Sequence, residues 1–328
     1  MLYGISESDI IFYNKKLEQQ RSFLNNKHIV NSNGEVKTFL DISMSANLSE
    51  RYYNTLINKI NTFKLISSNF RLVPIFLTVT LDGFFRDFLC SNFKRYNNLK
   101  NRNFYDRYIP NNERFGFLRD KINNNEVFTI KDLYNILNFQ LWRFIYTNVF
   151  RKMRKLGYKR AYIRATEPHR SDGVPHIHML LWIHNDFVDE VKNKFYEYFP
   201  AKQKKFEVAL KNPVGYILKY TTKSFLNIKK NQKLDALQVW YLKYKIRRFT
   251  TSFSVLPFWI YKKIFFLNSD WFDYTVFYDV KEKNFKKGEF VLYNSDLNHT
   301  IVFKNNVLKI YHNNKLFFSK DFNNYYIV

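Results

Sequence analysis

The spacing of hydrophobic residues changes several times along the chain between a strand-like and a helix-like pattern. Residues 73–81 are dense in apolar and β-branched residues and are followed by Asp82-Gly83, which predicts a buried strand ended by a turn. Residues 161–167 and 176–183 indicate two more strands, and the loop 168–175 between them is rich in turn-forming residues. These patterns predict a sheet that contains an antiparallel hairpin.

Helix-like spacing precedes and follows this hairpin. Residues 129–132 resemble a capping box, and apolar residues then recur at three- and four-residue intervals toward Gly157, which predicts one long amphipathic helix. Residues 187–199 predict another helix, and residues 205–210 another strand. Residues 212–225 open with an Asn-Pro pair, a helix N-cap followed by proline at the first helical position, and predict a further helix.

The two ends of the chain have a different character. Residues 1–70 are polar and rich in asparagine, with helix-like spacing around 47–65 and no recognisable chemical motif. Residues 230–270 are aromatic and basic, and short alternating segments separated by turns then predict a small β-rich tail over 270–328.

The charge of the chain points to a polyanionic partner. Lys and Arg number 53 against 28 Asp and Glu, which gives a formal net charge of +25 spread along the sequence. An AT-rich genome could explain part of the lysine content, but it does not explain the shortage of acids. No basic amphipathic helix is evident, so nucleic acid is favoured over a membrane surface. Aromatic residues make up 20% of the chain, and those beside basic residues could stack on unpaired bases.

Several functions are disfavoured by what the sequence lacks. Cys90 is the only cysteine, which excludes an intrachain disulfide and a cysteine-based zinc site. The N-terminus does not resemble a signal peptide, and no apolar run approaches the roughly 20 residues of a membrane span. We therefore expect a cytoplasmic protein. The eight glycines are isolated, so no phosphate-binding loop for a nucleotide is expected, and any helicase must come from elsewhere.

Two histidines on the second hairpin strand form the first candidate site. His176 and His178 lie two residues apart and must project from the same face of that strand. Glu167 ends the preceding strand, and the hairpin would bring its carboxylate back toward them. Two nitrogens and one oxygen suit Mg²⁺ or Mn²⁺, although a structural histidine pair is the alternative. His169 is an alternative ligand or a phosphate contact, and His184 is interpreted as structural.

The second candidate site is the helix that begins at residues 212–213. Spacings of four and three place Tyr216, Tyr220 and Lys223 on one face, with Lys219 beside them. Tyrosine is common in this chain, so a packed or exposed stripe is the alternative interpretation. The lysines favour chemistry, because a phenol with a pKa near 10 needs positive charge nearby to attack phosphorus at neutral pH.

Taken in order, residues 76–80 (Phe-Leu-Thr-Val-Thr), residues 175–178 (Pro-His-Ile-His) and the helix 216–223 resemble the three motifs of HUH rolling-circle replication initiators. The Tyr-x-x-Lys-Tyr-x-x-Lys pattern is similar to the two-tyrosine branch, which includes gene A type and microvirus-like phage and plasmid initiators. The resemblance covers about residues 73–225, and residues 246–252 are similar to an Arg-rich segment that often follows the tyrosine helix.

The resemblance implies a fold and a reaction. It implies an α+β fold with a central antiparallel sheet flanked by helices, an RRM-like or ferredoxin-like core. Residues 71–230 would be the catalytic domain, between an accessory region 1–70 and a C-terminal region 231–328. Glu167, His176 and His178 would bind Mg²⁺ or Mn²⁺, and Lys219 and Lys223 would orient phenol and phosphate. Either tyrosine, Tyr216 or Tyr220, would attack.

The same resemblance implies the biological setting. Attack would leave a 5′-phosphotyrosine and a free 3′-hydroxyl that primes a host DNA polymerase, and the second tyrosine would later release a circle. We expect single-stranded origin DNA, a host helicase and a host polymerase as partners, in the cytoplasm of a bacterium. Two alternatives stay open: a two-tyrosine transposase with the same motifs, and a non-catalytic single-strand-binding module whose histidines and tyrosines only pack and stack.

Overall fold

The structure of the protein is a computed structural model, and it describes most of the chain. The described residues are 2–30, 36–41, 43, 45–48, 52–53, 56, 60, 72–94, 109, 113, 115–158, 160–199, 205–208, 212–225, 233–252, 290–294, 299–304 and 307–321. The chain divides into two compact units, residues 1–43 with 71–250 and residues 44–70 with 251–328. The domain boundaries expected from the sequence stay a prediction beside this division.

The first unit contains the elements that position the candidate site. Its helices are α1 Glu7–Asn25, α2 Gly116–Asn123, α3 Ile130–Ile145, α4 Asn148–Lys155, α5 Val188–Tyr198, α6 Pro213–Thr222 and α7 Ala236–Lys243. Its strands are β1 His28–Val30, β2 Val36–Thr38, β3 Leu72–Thr80, β4 Ala161–Pro168, β5 Pro175–His184, β6 Lys205–Val208 and β7 Phe249–Thr251. Short 3₁₀ helices cover Gly83–Cys90, Asn185–Phe187 and Lys223–Phe225.

Five of these strands form the central sheet, in the order β6-β3-β5-β4-β7. β3 pairs antiparallel with both β5 and β6, and β5 pairs antiparallel with β4. Long runs of apolar, β-branched residues make β3 and β5 the buried centre of the sheet, as expected for strands covered on both faces. The predicted α+β fold with a central antiparallel sheet and flanking helices is confirmed.

Helices cover both faces of the sheet. Phe206 lies opposite Leu77 in the β3–β6 register and contacts Phe195 of α5, with ring centroids 5.5 Å apart. Phe195 in turn contacts Phe144 of α3 at 5.8 Å, so α3 and α5 pack on the face to which Leu77 points. Phe76 points to the other face, because successive side chains of a strand alternate, and there it contacts Tyr216 of α6.

The helix predicted to run from residue 129 toward Gly157 is wrong beyond Ile145. The predicted capping box is present, since Thr129 accepts from the Asp132 backbone N–H and donates to the Asp132 carboxylate. Helix α3 ends at Ile145, and Thr147 adopts an extended conformation as the N-cap of a second helix, α4. Threonine favours this N-cap position, and the apolar spacing continues across the break.

Local sequence signals explain the start of the tyrosine helix. The Asn212 side chain accepts from the Gly215 backbone N–H at 2.8 Å, and Pro213 occupies the first turn, as predicted. The helix is α-helical to Thr222 and continues as a 3₁₀ turn through Phe225.

The second unit contains a separate four-stranded antiparallel sheet in its described part. Its strands are β8 Phe290–Asn294, β9 His299–Lys304, β10 Val307–His312 and β11 Lys315–Asp321, in the order β11-β10-β9-β8. The predicted β-rich tail is thereby confirmed over these residues. The helix-like stretch around 47–65 lies largely outside the described residues. Among the described residues, none belongs to a helix long and apolar enough to cross a membrane.

Candidate metal centre

The hairpin of β4 and β5 brings the three predicted metal ligands together. Glu167 lies directly opposite His176 in the register, and His178 follows two residues along the same face of β5. Each of the three offers one ligand atom, and these atoms lie within 4.8 Å of one another. The Nε2 atom of His178 is 3.9 Å from Oε2 of Glu167.

The chemistry of these side chains fits a divalent cation. Burial lowers the pKa of His176 to about 3 and that of His178 to about 2, so both imidazoles are neutral at physiological pH. A neutral imidazole is the form that binds a metal. Two buried atoms, Oε1 of Glu167 and Nδ1 of His176, have no hydrogen-bond partner among the described residues. Unsatisfied buried donor atoms of this kind are what a bound cation would satisfy.

A threonine of the neighbouring strand orients one of the histidines. Thr78 lies opposite His178 on β3, and its Oγ1 is 3.2 Å from Nδ1 of His178. Because this contact occupies Nδ1, the other ring nitrogen, Nε2, is the one directed at Glu167. Hydrogen bonds of this type commonly fix the orientation of metal-binding histidines. The motif that contains Thr78 was identified in the sequence, but this role was not predicted.

The tyrosine helix lies directly over these ligands. The ring of Tyr220 stacks on that of His178, with centroids 3.7 Å apart and planes 22° apart. Tyr216 lies one turn earlier, with its ring 5.9 Å from that of Tyr220 and 4.5 Å from that of Phe76. The structure therefore brings both predicted tyrosines to the predicted metal ligands.

The environment of Tyr220 keeps its hydroxyl protonated. Burial, followed by the charge of Tyr216 and a hydrogen bond with it, raises the pKa of Tyr220 to about 12. The phenol is therefore neutral at pH 7, and its reaction as a nucleophile requires the loss of a proton. Positive charge near the hydroxyl would favour that loss.

The two lysines of the tyrosine helix occupy different positions. Lys223 donates to Oε2 of Glu167 at 3.2 Å, and its ammonium lies 5.3 Å from the centre of the Tyr220 ring. Lys219 is exposed, and its charge acts on Glu167 more weakly than that of Lys223. Burial raises the pKa of Glu167, and both lysines oppose this shift. A cation thus already lies on the carboxylate that is the candidate metal ligand.

The remaining histidines of the hairpin take different positions. His169 packs beside His176 with ring centroids 4.6 Å apart, but it is not one of the three clustered ligands. The loop that carries His169 is tied to the 3₁₀ helix after β3 by an ion pair between Arg86 and Asp172 at 2.6 Å. His184 lies at the far end of β5 against Tyr158, consistent with the structural interpretation.

Comparison with known proteins finds a family similar to part of the chain. Residues 129–225, under a third of the chain, match the family described as Replication-associated protein ORF2. The matched segment contains all three clustered ligands and both tyrosines. No curated protein and no solved structure matches the chain.

Proposed function

We propose that this protein initiates rolling-circle DNA replication by cutting a single DNA strand and joining it to a tyrosine. The observation that carries the proposal is the stacking of Tyr220 on His178, which places a candidate nucleophile against a candidate metal ligand. The match of residues 129–225 to a family of replication-associated proteins supports the same role.

The proposed reaction replaces one phosphodiester with another. The phenol of Tyr216 or Tyr220 loses its proton, its oxygen forms a bond to phosphorus, and the bond from phosphorus to the 3′ oxygen breaks. The 3′ oxygen takes up a proton and becomes a free hydroxyl, while the 5′ phosphate stays on the tyrosine. The reverse attack by a 3′-hydroxyl joins the strand again, so no nucleotide cofactor is needed.

The clustered side chains define what the metal and the protein each contribute. A divalent cation, Mg²⁺ or Mn²⁺, held by Glu167, His176 and His178 would polarise the scissile phosphate and offset the charge on its oxygens. Tyr216 hydrogen bonds with Tyr220, so the loss of a proton from one phenol affects the other. Lys219 and Lys223 add positive charge around the phenols and the phosphate.

Two tyrosines one helical turn apart suit a cycle with two cuts. The first tyrosine would hold the 5′ end while a host polymerase extends the 3′-hydroxyl. The second tyrosine would then cut the regenerated origin, and the released 3′-hydroxyl would attack the first phosphotyrosine to close a circle. Because both rings contact Phe76, both phenols lie over the same part of the sheet.

The DNA partner is proposed from charge and composition. A net charge of +25 favours a polyanion, and the abundant aromatic residues can stack on unpaired bases. Single-stranded origin DNA is therefore the proposed substrate. A host helicase and polymerase would complete replication in a bacterial cytoplasm.

The test is covalent attachment to single-stranded circular DNA of the parent replicon. We expect a protein–DNA adduct on a denaturing gel with Mn²⁺ and none with EDTA. The adduct should persist, at least weakly, in Tyr216→Phe and Tyr220→Phe and vanish in the double variant. Tyr158→Phe is the matched control, because this tyrosine packs on His184 at the opposite end of β5.

The outcomes separate the alternatives. Tight DNA binding without an adduct in any metal would favour the non-catalytic binding module and would refute the proposed reaction. Cutting that is confined to the ends of a mobile element would favour the two-tyrosine transposase. An adduct that depends on one tyrosine alone would refute the two-cut cycle and leave a single nucleophile.

A further inference from the structure

One helix outside the matched segment holds both arms of the metal-binding hairpin. Trp240 and Tyr241 are consecutive residues of α7, and both are buried, at 0% and 5% exposure. Tyr241 bonds to the β4 arm and Trp240 to the β5 side of the loop. Neither contact was predicted from the sequence.

The bond from Tyr241 reaches the peptide group next to a metal ligand. Its hydroxyl donates to the Thr166 carbonyl oxygen at 2.5 Å in a buried environment. That carbonyl belongs to the same planar peptide unit as the Glu167 amide, so the bond restrains the backbone from which the Glu167 side chain projects. The Thr166 N–H donates to the Arg248 carbonyl at 3.0 Å, which restrains the residue from the same segment of the chain.

The bond from Trp240 reaches the opposite side of the loop. Its Nε1–H donates to the Gly173 carbonyl at 3.0 Å, three residues before His176. Gly173 has a φ of +74°, and a Cβ atom there would clash with the Tyr3 carbonyl oxygen. The Tyr3 N–H in turn donates to the Arg170 carbonyl at 2.8 Å. The loop is thus enclosed between α7 and the N-terminal segment.

Helix α7 is itself held by the N-terminal helix α1. The Asn14 side chain exchanges two hydrogen bonds with the Leu234 backbone just before α7, at 2.8 and 3.2 Å. At the other end of α7, Lys243 pairs with Asp9 at 2.7 Å. This gives the N-terminal region, which has no recognisable motif in sequence, a physical connection to the candidate site.

We propose that Tyr241 and Trp240 are positioning residues that hold the two arms of the hairpin at the separation needed to bind the metal. The inference rests on the proposed function, because it concerns the same three ligands. It extends the functional unit beyond residues 129–225 to α7 and α1. Loss of a hydrogen bond that supports a metal ligand typically lowers metal affinity about tenfold or more.

The test is Mn²⁺ binding to the full-length protein, measured from the electron paramagnetic resonance signal of free Mn²⁺. We expect Tyr241→Phe, which removes only the hydroxyl, to bind Mn²⁺ about tenfold more weakly than the wild type. Tyr244→Phe, at the end of the same helix, is the matched control and should bind within about twofold of the wild type. In the covalent adduct assay, Tyr241→Phe should need more Mn²⁺ but approach the wild-type rate at saturation.

A second variant keeps the inference testable if Tyr241→Phe does not fold. Asn14→Ala acts from a distance by loosening α7, and we expect it to weaken Mn²⁺ binding several-fold, in line with the loss of one or two hydrogen bonds. Unchanged Mn²⁺ affinity in a folded variant of either kind would overturn the inference alone. A wild-type protein that binds no Mn²⁺ would overturn the metal-dependent function as well.

Discussion

The ion pair between Lys223 and Glu167 leads to a prediction that separates metal binding from catalysis. In the structure the Lys223 ammonium lies 3.2 Å from Oε2 of Glu167, an oxygen that is also 3.9 Å from His178. A metal bound by these ligands must share that oxygen with the ammonium or displace it. We therefore expect Lys223→Met to increase the affinity for Mn²⁺.

The size of the effect follows from distance and exposure. Two unit charges 3.2 Å apart interact by ~5 kcal/mol at an effective dielectric constant of ~20. The Lys223 side chain is 46% exposed, however, and half-exposed pairs contribute only about 1 kcal/mol. Displacing the ammonium should cost a similar amount. We expect Lys223→Met to bind Mn²⁺ about fivefold more tightly and to be about 1 kcal/mol less stable without metal.

The assay is calorimetric titration with Mn²⁺ at pH 8, where the Glu167 carboxylate stays ionised despite its raised pKa. Lys219→Met is the matched control, because it removes the same charge from the same helix at an exposed position. We expect the Lys223 variant to form adduct more slowly at saturating Mn²⁺, since a cation near Tyr220 is lost. Equal or weaker Mn²⁺ binding by Lys223→Met would refute the competition between ammonium and metal.

Three further predictions concern the sheet, the histidines and the hairpin loop. Thr78→Val removes the hydroxyl that contacts His178 while keeping the side-chain shape, and calorimetric titration should show about tenfold weaker Mn²⁺ binding. The lowered pKa values of the two ligand histidines mean that the unfolded chain takes up protons below about pH 6.5 while the folded protein does not. Urea unfolding in EDTA should therefore show stability that rises with pH, with a loss of about 2 kcal/mol from pH 7.5 to 5.5, because the raised pKa of the buried carboxylate offsets part of the histidine effect. Gly173→Ala should destabilise the protein by more than 1 kcal/mol, roughly, because of its positive φ and the Tyr3 carbonyl, whereas Gly83→Ala, with nothing within 4 Å, should unfold at nearly the wild-type urea concentration.

The sequence predicted those parts of the site that depend on local periodicity. The strand period of two placed His176 and His178 on one face, and the helical period placed Tyr216 and Tyr220 one turn apart. A hairpin with strong turn residues then required Glu167 to return toward the histidines, and the register confirms that it does. Each of these steps uses residues close in sequence or joined by a short loop.

The parts that the sequence did not predict depend on contacts between distant segments. Lys223 contacts Glu167 across 56 residues, and Tyr241 contacts Thr166 across 75. Nothing in the local spacing around Tyr241 distinguishes it from the other tyrosines of the aromatic segment. The break between α3 and α4 was missed for a related reason, since the apolar spacing continues through Thr147 and masks the N-cap there.

The charges of the site explain how the protein can hold these groups buried before a metal binds. The two histidines are neutral, and the single negative charge of Glu167 is offset by Lys223, so the ligand cluster carries almost no net charge. A buried carboxylate without a partner would be costly, and the ammonium reduces that cost. When a divalent cation takes over the carboxylate, the lysine is released beside Tyr220, close to where the proposed reaction places a phosphate. The same side chain can therefore stabilise the metal-free fold and then contribute positive charge to DNA cutting.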